Sequence, residues 1–349
     1  MTPSENLTIT QANPGEESRR VSRRWPRAIL RIAGSIVALV ILFRFLPLEE
    51  VWTTLRRLPP LLWLLVVVGY LSAHLIGASK WRLMVNLGGA DLSFRQAVRC
   101  YSSGLFSTLF MPSVIGGDVV RAGLAIRTSR SKAGVIVGSF LDRVIDFLAL
   151  GLLVAIGAAL VPGALAPASR RIFLTVGAVI AVVAILLVAI VAWFPARKFS
   201  FRLRRGFVRL RRAAHAVRRQ PQYVLSAICM ALVVQGSLIW LTARVAAESH
   251  LQLPFRAWLF AWPLAKLSAL VPLTQGGIGV REAALAALLI PFGARVARTV
   301  AVGLAWEGVI ISGGLIAGLT AYVLGHFPAV APPLRSTEAA GQSLPAPRR

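Results

Sequence analysis

Six runs of this chain, at roughly 28–46, 61–79, 134–160, 172–194, 222–243 and 297–325, stay apolar over a length that crosses a bilayer. At about 1.5 Å of rise per residue, each run covers a hydrocarbon slab of about 30 Å. Inside such a slab no water satisfies the backbone, so these runs are expected to be helices. The rest of the composition agrees: 56% of the 349 residues are apolar and mean hydropathy is +0.71, far more apolar length than a soluble core of this size uses. The sequence therefore predicts an all-α, polytopic helical membrane protein.

A net charge of +26, from 39 Lys and Arg against 13 Asp and Glu, would suit a nucleic-acid partner if the basic residues formed one surface. They fall between the apolar runs instead. Five precede the first run, eight lie in 80–133, ten in 195–221 and three after 326, against eight in the alternate connections. The bias places both termini in the cytoplasm and the chain in the inner membrane, with no nucleic-acid partner. Residues 1–27 form a basic tail ending in Arg19, Arg20, Arg23, Arg24 and Arg27, with no small-residue cleavage site after the first run, which reads as an uncleaved signal anchor. In the basic loop 195–221, Leu203, Phe207, Leu210, Ala214 and Val217 recur at helical spacing among arginines, as in a helix lying on an anionic leaflet. Residues 326–349, rich in Pro, Ala and small polar groups, are expected to be disordered. Cys100 and Cys229 are the only cysteines, so neither a disulfide framework nor a thiolate metal site is expected.

A second pattern divides the chain in two. Pro112, Gly116, Gly117, Val120 and Arg121 recur in register as Pro272, Gly276, Gly277, Val280 and Arg281, and Leu92, Phe94 and Arg95 upstream recur as Leu253, Phe255 and Arg256. Two ordered matches indicate an internal duplication, with repeat elements at 92–125 and 253–285. Each element is apolar but interrupted by its Pro and Gly-Gly, so each is expected to be a re-entrant, broken helix with halves of some 10 to 18 residues. Three apolar runs separate the copies, so the second would start from the opposite face of the membrane, giving an inverted repeat. Gly-Gly after Pro gives a backbone able to adopt positive φ, which exposes free N–H groups where the next helix begins. With Arg121 and Arg281, such amides at Gly116, Gly117, Gly276, Gly277 and Gly279 would suit an anion such as a headgroup phosphate. Gly134 with Gly138, and Gly314 with Gly318, are read as helix-packing positions.

The third informative fact is where the few acids sit. Asp118, Asp142, Asp146, Glu282 and Glu307 lie in or beside apolar segments, where an ionised group costs about 2.5 to 3.5 kcal/mol on insertion scales unless it is paired or faces a polar cavity. Asp142 and Asp146 share one helical face with Arg143 partly off it, so Arg121, Arg281 or Lys266 is the expected counter-ion. Glu307 is expected to pair with Lys266, Arg281 or the cavity, and Gln235 and His74 to hydrogen-bond between helices. Together Asp118, Asp142, Arg143, Asp146, Lys266, Glu282 and Glu307 form a predicted charge network that fixes packing or gates a headgroup. The four His are scattered, and neither a metal-ligand set nor a Gly-x4-Gly-Lys-Ser loop occurs, so no metal and no cofactor are expected.

The strings Met111 to Ala122, Leu141 to Asp146 and Val271 to Ala283, in that order, resemble the lysylphosphatidylglycerol synthase transmembrane, or flippase-like, family over roughly residues 30–325. That resemblance implies a transmembrane domain at 28–325 that moves a phospholipid or other lipid-linked headgroup between leaflets. In better-understood members it is joined to a soluble synthase domain, for which the tail after 325 offers no room, so lysylphosphatidylglycerol synthesis is not expected. The leading reading is a lipid translocase rather than an enzyme, with anionic or zwitterionic phospholipids as ligands. Candidate protein partners are a lipid-modifying enzyme and a second copy of the chain. The alternative is a membrane-bound transferase or accessory protein in glycolipid, polyprenol or hopanoid metabolism.

Overall fold

The computed structural model describes Arg56 and residues 58–111, 114–160, 219–269 and 279–326. The expected runs at 28–46 and 172–194, the basic loop, both terminal segments, Gly276 and Gly277 lie outside them. Among the described residues there are eight α-helices and no strand: α1 Pro60–Leu87, α2 Phe94–Thr108, α3 Val114–Thr128, α4 Lys132–Ala159, α5 Pro221–Glu248, α6 Phe255–Ser268, α7 Val280–Leu289 and α8 Val296–His326. Three of these, α1, α5 and α8, are long and apolar enough to cross a membrane. Large apolar side chains on their outer faces, such as Leu61, Leu64, Leu225, Leu315 and Leu319, are exposed, as lipid contact requires. α4 is equally long as α1, and its Asp142, Arg143 and Asp146 distinguish it from the purely apolar helices.

Local sequence sets the ends. Pro60 and Pro221 stand at the starts of α1 and α5, where a missing N–H costs nothing. Ser93 caps α2 in a reciprocal box with Gln96, and the Ser131 side chain accepts from the Gly134 N–H at the start of α4. α1 closes with a left-handed residue at Gly89 (φ 83°), Gly89 N–H donating to Asn86 O and Ala90 N–H to Val85 O. α5 closes identically on His250 (φ 56°), with bonds to Ala247 O and from Leu251 N–H to Ala246 O. All four residues of the second cap lie 161 positions after those of the first.

The duplication therefore runs beyond the glycine motif. α1 to α4 correspond to α5 to α8, and each closely packed helix pair has its counterpart: α2 on α3 as α6 on α7, α2 on α8 as α6 on α4, α1 on α4 as α5 on α8, with α1 on α5 joining the halves. α1 and α5 run antiparallel. A Cβ at Gly69, early in α1, would come 2.9 Å from Leu241 late in α5, whereas Met84 late in α1 packs with Ala227 and Ala231 early in α5. The two long helices after the broken pairs are exchanged, α4 packing on α6 of the other copy and α8 on α2. α1 and α5 each pack on both α4 and α8, which gathers the four long helices along one seam.

Two expectations change. α1 does not stop at 79 but continues to Leu87, so Lys80, grouped by sequence with a cytoplasmic loop, is 2% exposed inside the helix; Arg121, grouped likewise, is 3% exposed. Each repeat element is divided into two helices, of 15 and 15 residues and of 14 and 10. But Gly116 and Gly117 lie in the first turn of α3, not in a left-handed link. Positive φ falls on Gly279 (86°) instead. The reason is packing: a Cβ at Gly116 would meet Met111 at 2.6 Å, and one at Gly117 would strike Thr108 and the Gly104 carbonyl.

Candidate functional site: two buried ion clusters along one seam

The first cluster joins three helices of the first copy. Lys80 of α1 reaches Asp142 Oδ1 (2.9 Å) and donates to Asp146 Oδ1 (2.5 Å), both on α4. Arg121 of α3 donates to Asp142 Oδ2 (2.8 Å) and lies 3.3 Å from Asp118. Arg143 donates to Asp118 and to Asp146 Oδ2, the latter at 3.3 Å. Three cations and three carboxylates thus close a neutral ring, with Asp142 at its centre only 1% exposed. The Arg121 guanidinium also sits 5.1 Å from the ring centres of Trp81 and of Tyr101, which hold its plane. Arg121 is therefore the counter-ion the sequence anticipated for Asp142. Arg143, which the sequence turned partly away, bridges α4 to α3 instead.

The second cluster is smaller. Arg281 of α7 donates to Glu282 Oε1 (2.7 Å) and to Glu307 Oε2 of α8 (2.7 Å), and the Gly279 N–H donates to Glu282 Oε2 (2.6 Å). The amide that positive φ exposes at Gly279 is thus filled by Glu282. Arg281 lies 5.8 Å from the Trp262 ring, at the position 161 after Tyr101, and Trp262 stands edge-on to Trp306. Arg121 with Asp142 and Arg281 with Glu307 are thus the same contact in two copies. Gly138 and Gly303 precede the two acids by four residues each, and Gly303 leaves room for Glu282, whose Cγ a Cβ there would meet at 2.6 Å.

Between the clusters lie the polar groups of α1, α5 and α6. His74 Nδ1 is 3.4 Å from the Tyr101 hydroxyl, and its counterpart Gln235 accepts from Lys266 Nζ at 2.8 Å, so both do join helices as their positions suggested. Lys266 lies within electrostatic reach of Lys80, Arg143 and Asp146 of one copy and of Arg281 of the other. The expected packing glycines also do what their spacing implied: Gly134 and Gly138 press on the α1 backbone at Gly88 and Val85, Gly314 and Gly318 on Leu109 and Phe106.

Lys80 is the site residue that the sequence reading missed. The signal was available, since 80 continues the i, i+3, i+4 face of His74 and Gly77, but an apolar run is conventionally ended at its first Lys. Among the described residues no group of three His, Cys, Asp or Glu is placed to hold a metal ion. Chemically, the seam offers fixed, mutually neutralised charges in an apolar bundle, which is an environment for binding and exchange of charged groups.

Comparison with known proteins agrees with this architecture. The family model described as the lysylphosphatidylglycerol synthase TM region matches residues 28–318. A UPF0104 membrane protein of Archaeoglobus fulgidus is 28% identical over 126 residues, which is 34% of this chain and 36% of that protein, so the chain matches about a third of that relative's length. No solved structure matches.

Proposed function

The chain belongs to the lysylphosphatidylglycerol synthase TM region family, and we propose that it is a lipid translocase whose path is the polar seam between the two copies. The observation that carries this reading is the pair of equivalent, buried arginine–carboxylate contacts, Arg121–Asp142 and Arg281–Glu307, meeting along one seam from two antiparallel halves. With α1, α5 and α8 crossing the bilayer, a twofold relation between antiparallel α1 and α5 lies in the membrane plane. The broken pairs α2–α3 and α6–α7 then enter from opposite faces as an inverted repeat. Placing ten charges in an apolar bundle, with Lys80, Arg121, Asp142, Arg281 and Glu282 buried and Asp118, Arg143, Asp146, Lys266 and Glu307 partly so, is costly for packing alone, because an apolar replacement of equal volume is often as stable. Their retention in lipid favours a charged ligand.

In this mechanism a headgroup phosphate exchanges with Asp142 on Arg121 and with Glu307 on Arg281, keeping each guanidinium paired throughout. Gly116 and Gly117 set the close approach of α3 to α2 that holds Arg121, and Gly279 stands at the start of α7 just before Arg281. Asp118, Asp146 and Glu282 hold the arginines while the carboxylate is displaced. The ligand is an anionic or zwitterionic phospholipid of the inner membrane, and both termini face the cytoplasm.

The test is headgroup accessibility in proteoliposomes carrying a fluorescent-headgroup phospholipid. Wild type should expose inner-leaflet label to an external quencher, and Arg121→Ala with Arg281→Ala should lose most of that rate. Equal rates in the two samples would remove the proposal.

A further inference from the structure

Every carboxylate among the described residues already has a cation within 4.0 Å. Asp91 has Arg130, Glu248 has Arg244, and the remaining five belong to the two clusters. Lys266 breaks the pattern from the other side. Its ammonium meets a neutral amide, Gln235, and no carboxylate among the described residues lies within 4.0 Å of it. The neighbouring parts of the chain cannot supply one, because residues 161–218 and 270–278 contain no Asp or Glu. The six other acids, Glu5, Glu16, Glu17, Glu49, Glu50 and Glu338, all lie toward the two ends of the sequence. An ammonium has three donor protons, and Gln235 takes one.

A second donor stands one turn away. The indole Nε1–H of Trp262, on the same face of α6 at i−4, is buried and has no hydrogen-bond acceptor. A buried polar group without a partner is uncommon enough to require a cause. Two unfilled donors on one helical face, beside the turn that carries Arg281, share one simple cause: an acceptor-rich, negatively charged ligand that is bound in use.

We infer that Lys266 and Trp262 form an anion subsite for a phosphate group, the first contact of the headgroup with the seam. This rests on the translocase reading and deepens it. Arg121 and Arg281 must release a carboxylate before they take a phosphate, whereas Lys266 and Trp262 release nothing. The counterpart of Lys266 in the first copy is Leu105, so the subsite occurs once per chain.

The experiment is calorimetric titration of the purified, delipidated full chain with short-chain phosphatidylglycerol, with inorganic phosphate, and with short-chain diacylglycerol as the uncharged reference. One phosphatidylglycerol is expected per chain. Lys266→Met should weaken it about tenfold or more, the scale of one charge-assisted contact, and Lys266→Arg should stay within about threefold of wild type. Trp262→Phe, which removes the N–H and keeps a ring, should weaken it about threefold. Phosphate that competes with the lipid supports a site for the bare anion, and phosphate that fails to compete supports one that needs the lipid. Unchanged affinity in Lys266→Met, with unfolding temperatures matched to wild type, overturns the inference, as does diacylglycerol binding as tightly as phosphatidylglycerol. If Lys266→Met loses binding but wild-type proteoliposomes move no lipid, the subsite stands and the translocase reading falls. If wild type moves lipid and Lys266→Met binds unchanged, only the subsite falls.

Discussion

The two copies of the repeat share a backbone plan and differ in how they balance charge. In the first, six ionic groups from α1, α3 and α4 neutralise one another in a closed ring, and the central acid, Asp142, serves both Lys80 and Arg121. In the second, a single arginine serves two glutamates, and the lysine of that half, Lys266, faces an amide. A closed ring resists disturbance, because any group that leaves takes a contact from two neighbours and leaves the other five with an uncompensated charge in an apolar setting. The open arrangement tolerates exchange. Under the proposed translocase function, the first half would be the rigid member and the second the place where a charged ligand enters.

The largest expected effect tests that contrast. Asp142→Ala takes one carboxylate from both Lys80 and Arg121, leaving three cations to two carboxylates, and should lower stability by about 3–5 kcal/mol, whereas Glu307→Ala leaves Arg281 paired one to one with Glu282 and should cost about 1–3 kcal/mol. Unfolding in detergent micelles compares them, and equal losses would break the distinction. Next come the equivalent glycines. A Cβ at Gly138 meets the α1 backbone at Val85, which cannot yield, so Gly138→Ala should cost about 1–3 kcal/mol. At Gly303 it meets a side chain rather than a backbone, Glu282 Cγ at 2.6 Å, so Gly303→Ala should cost less, and on the translocase proposal should instead alter lipid movement by shifting Glu282 against Arg281. A thermal-shift series on the pair, with the transport rate of the second, checks both statements. The smallest effect is at the exposed pair Asp91–Arg130, where Asp91→Asn should change stability by less than about 1 kcal/mol. A larger loss there would mean that the loop after α1, not the ring, holds the first half together.

How much of this was readable in advance follows from what each signal depends on. The apolar runs at 61–79, 134–160, 222–243 and 297–325 give helices because length and hydropathy are local properties. The breaks near Pro112 and Pro272 were legible for the same reason. The partner of Asp142 was legible in part, since Arg121 was among three cations named and an acid in an apolar run must be paired. Lys80 was not, because hydropathy alone ends a run at its first charge, while the helix, continued by Trp81, Met84 and Val85, buries it. The conformation of Gly116 and Gly117 was left open by the sequence, because glycine permits positive φ without requiring it. Only their contacts with Met111, Thr108 and Gly104 show that closeness, not handedness, excludes a side chain there. That α4 packs on α6 and α8 on α2 has no local signature at all.

The central claim is that one seam serves both leaflets, and thiol accessibility tests it most directly. With Cys100 and Cys229 replaced by Ser, a single Lys266→Cys would be exposed to a membrane-impermeant thiol reagent in sealed right-side-out and inside-out vesicles. A translocation path through the seam predicts modification from either side. Modification from one side only, or from neither, would contradict it.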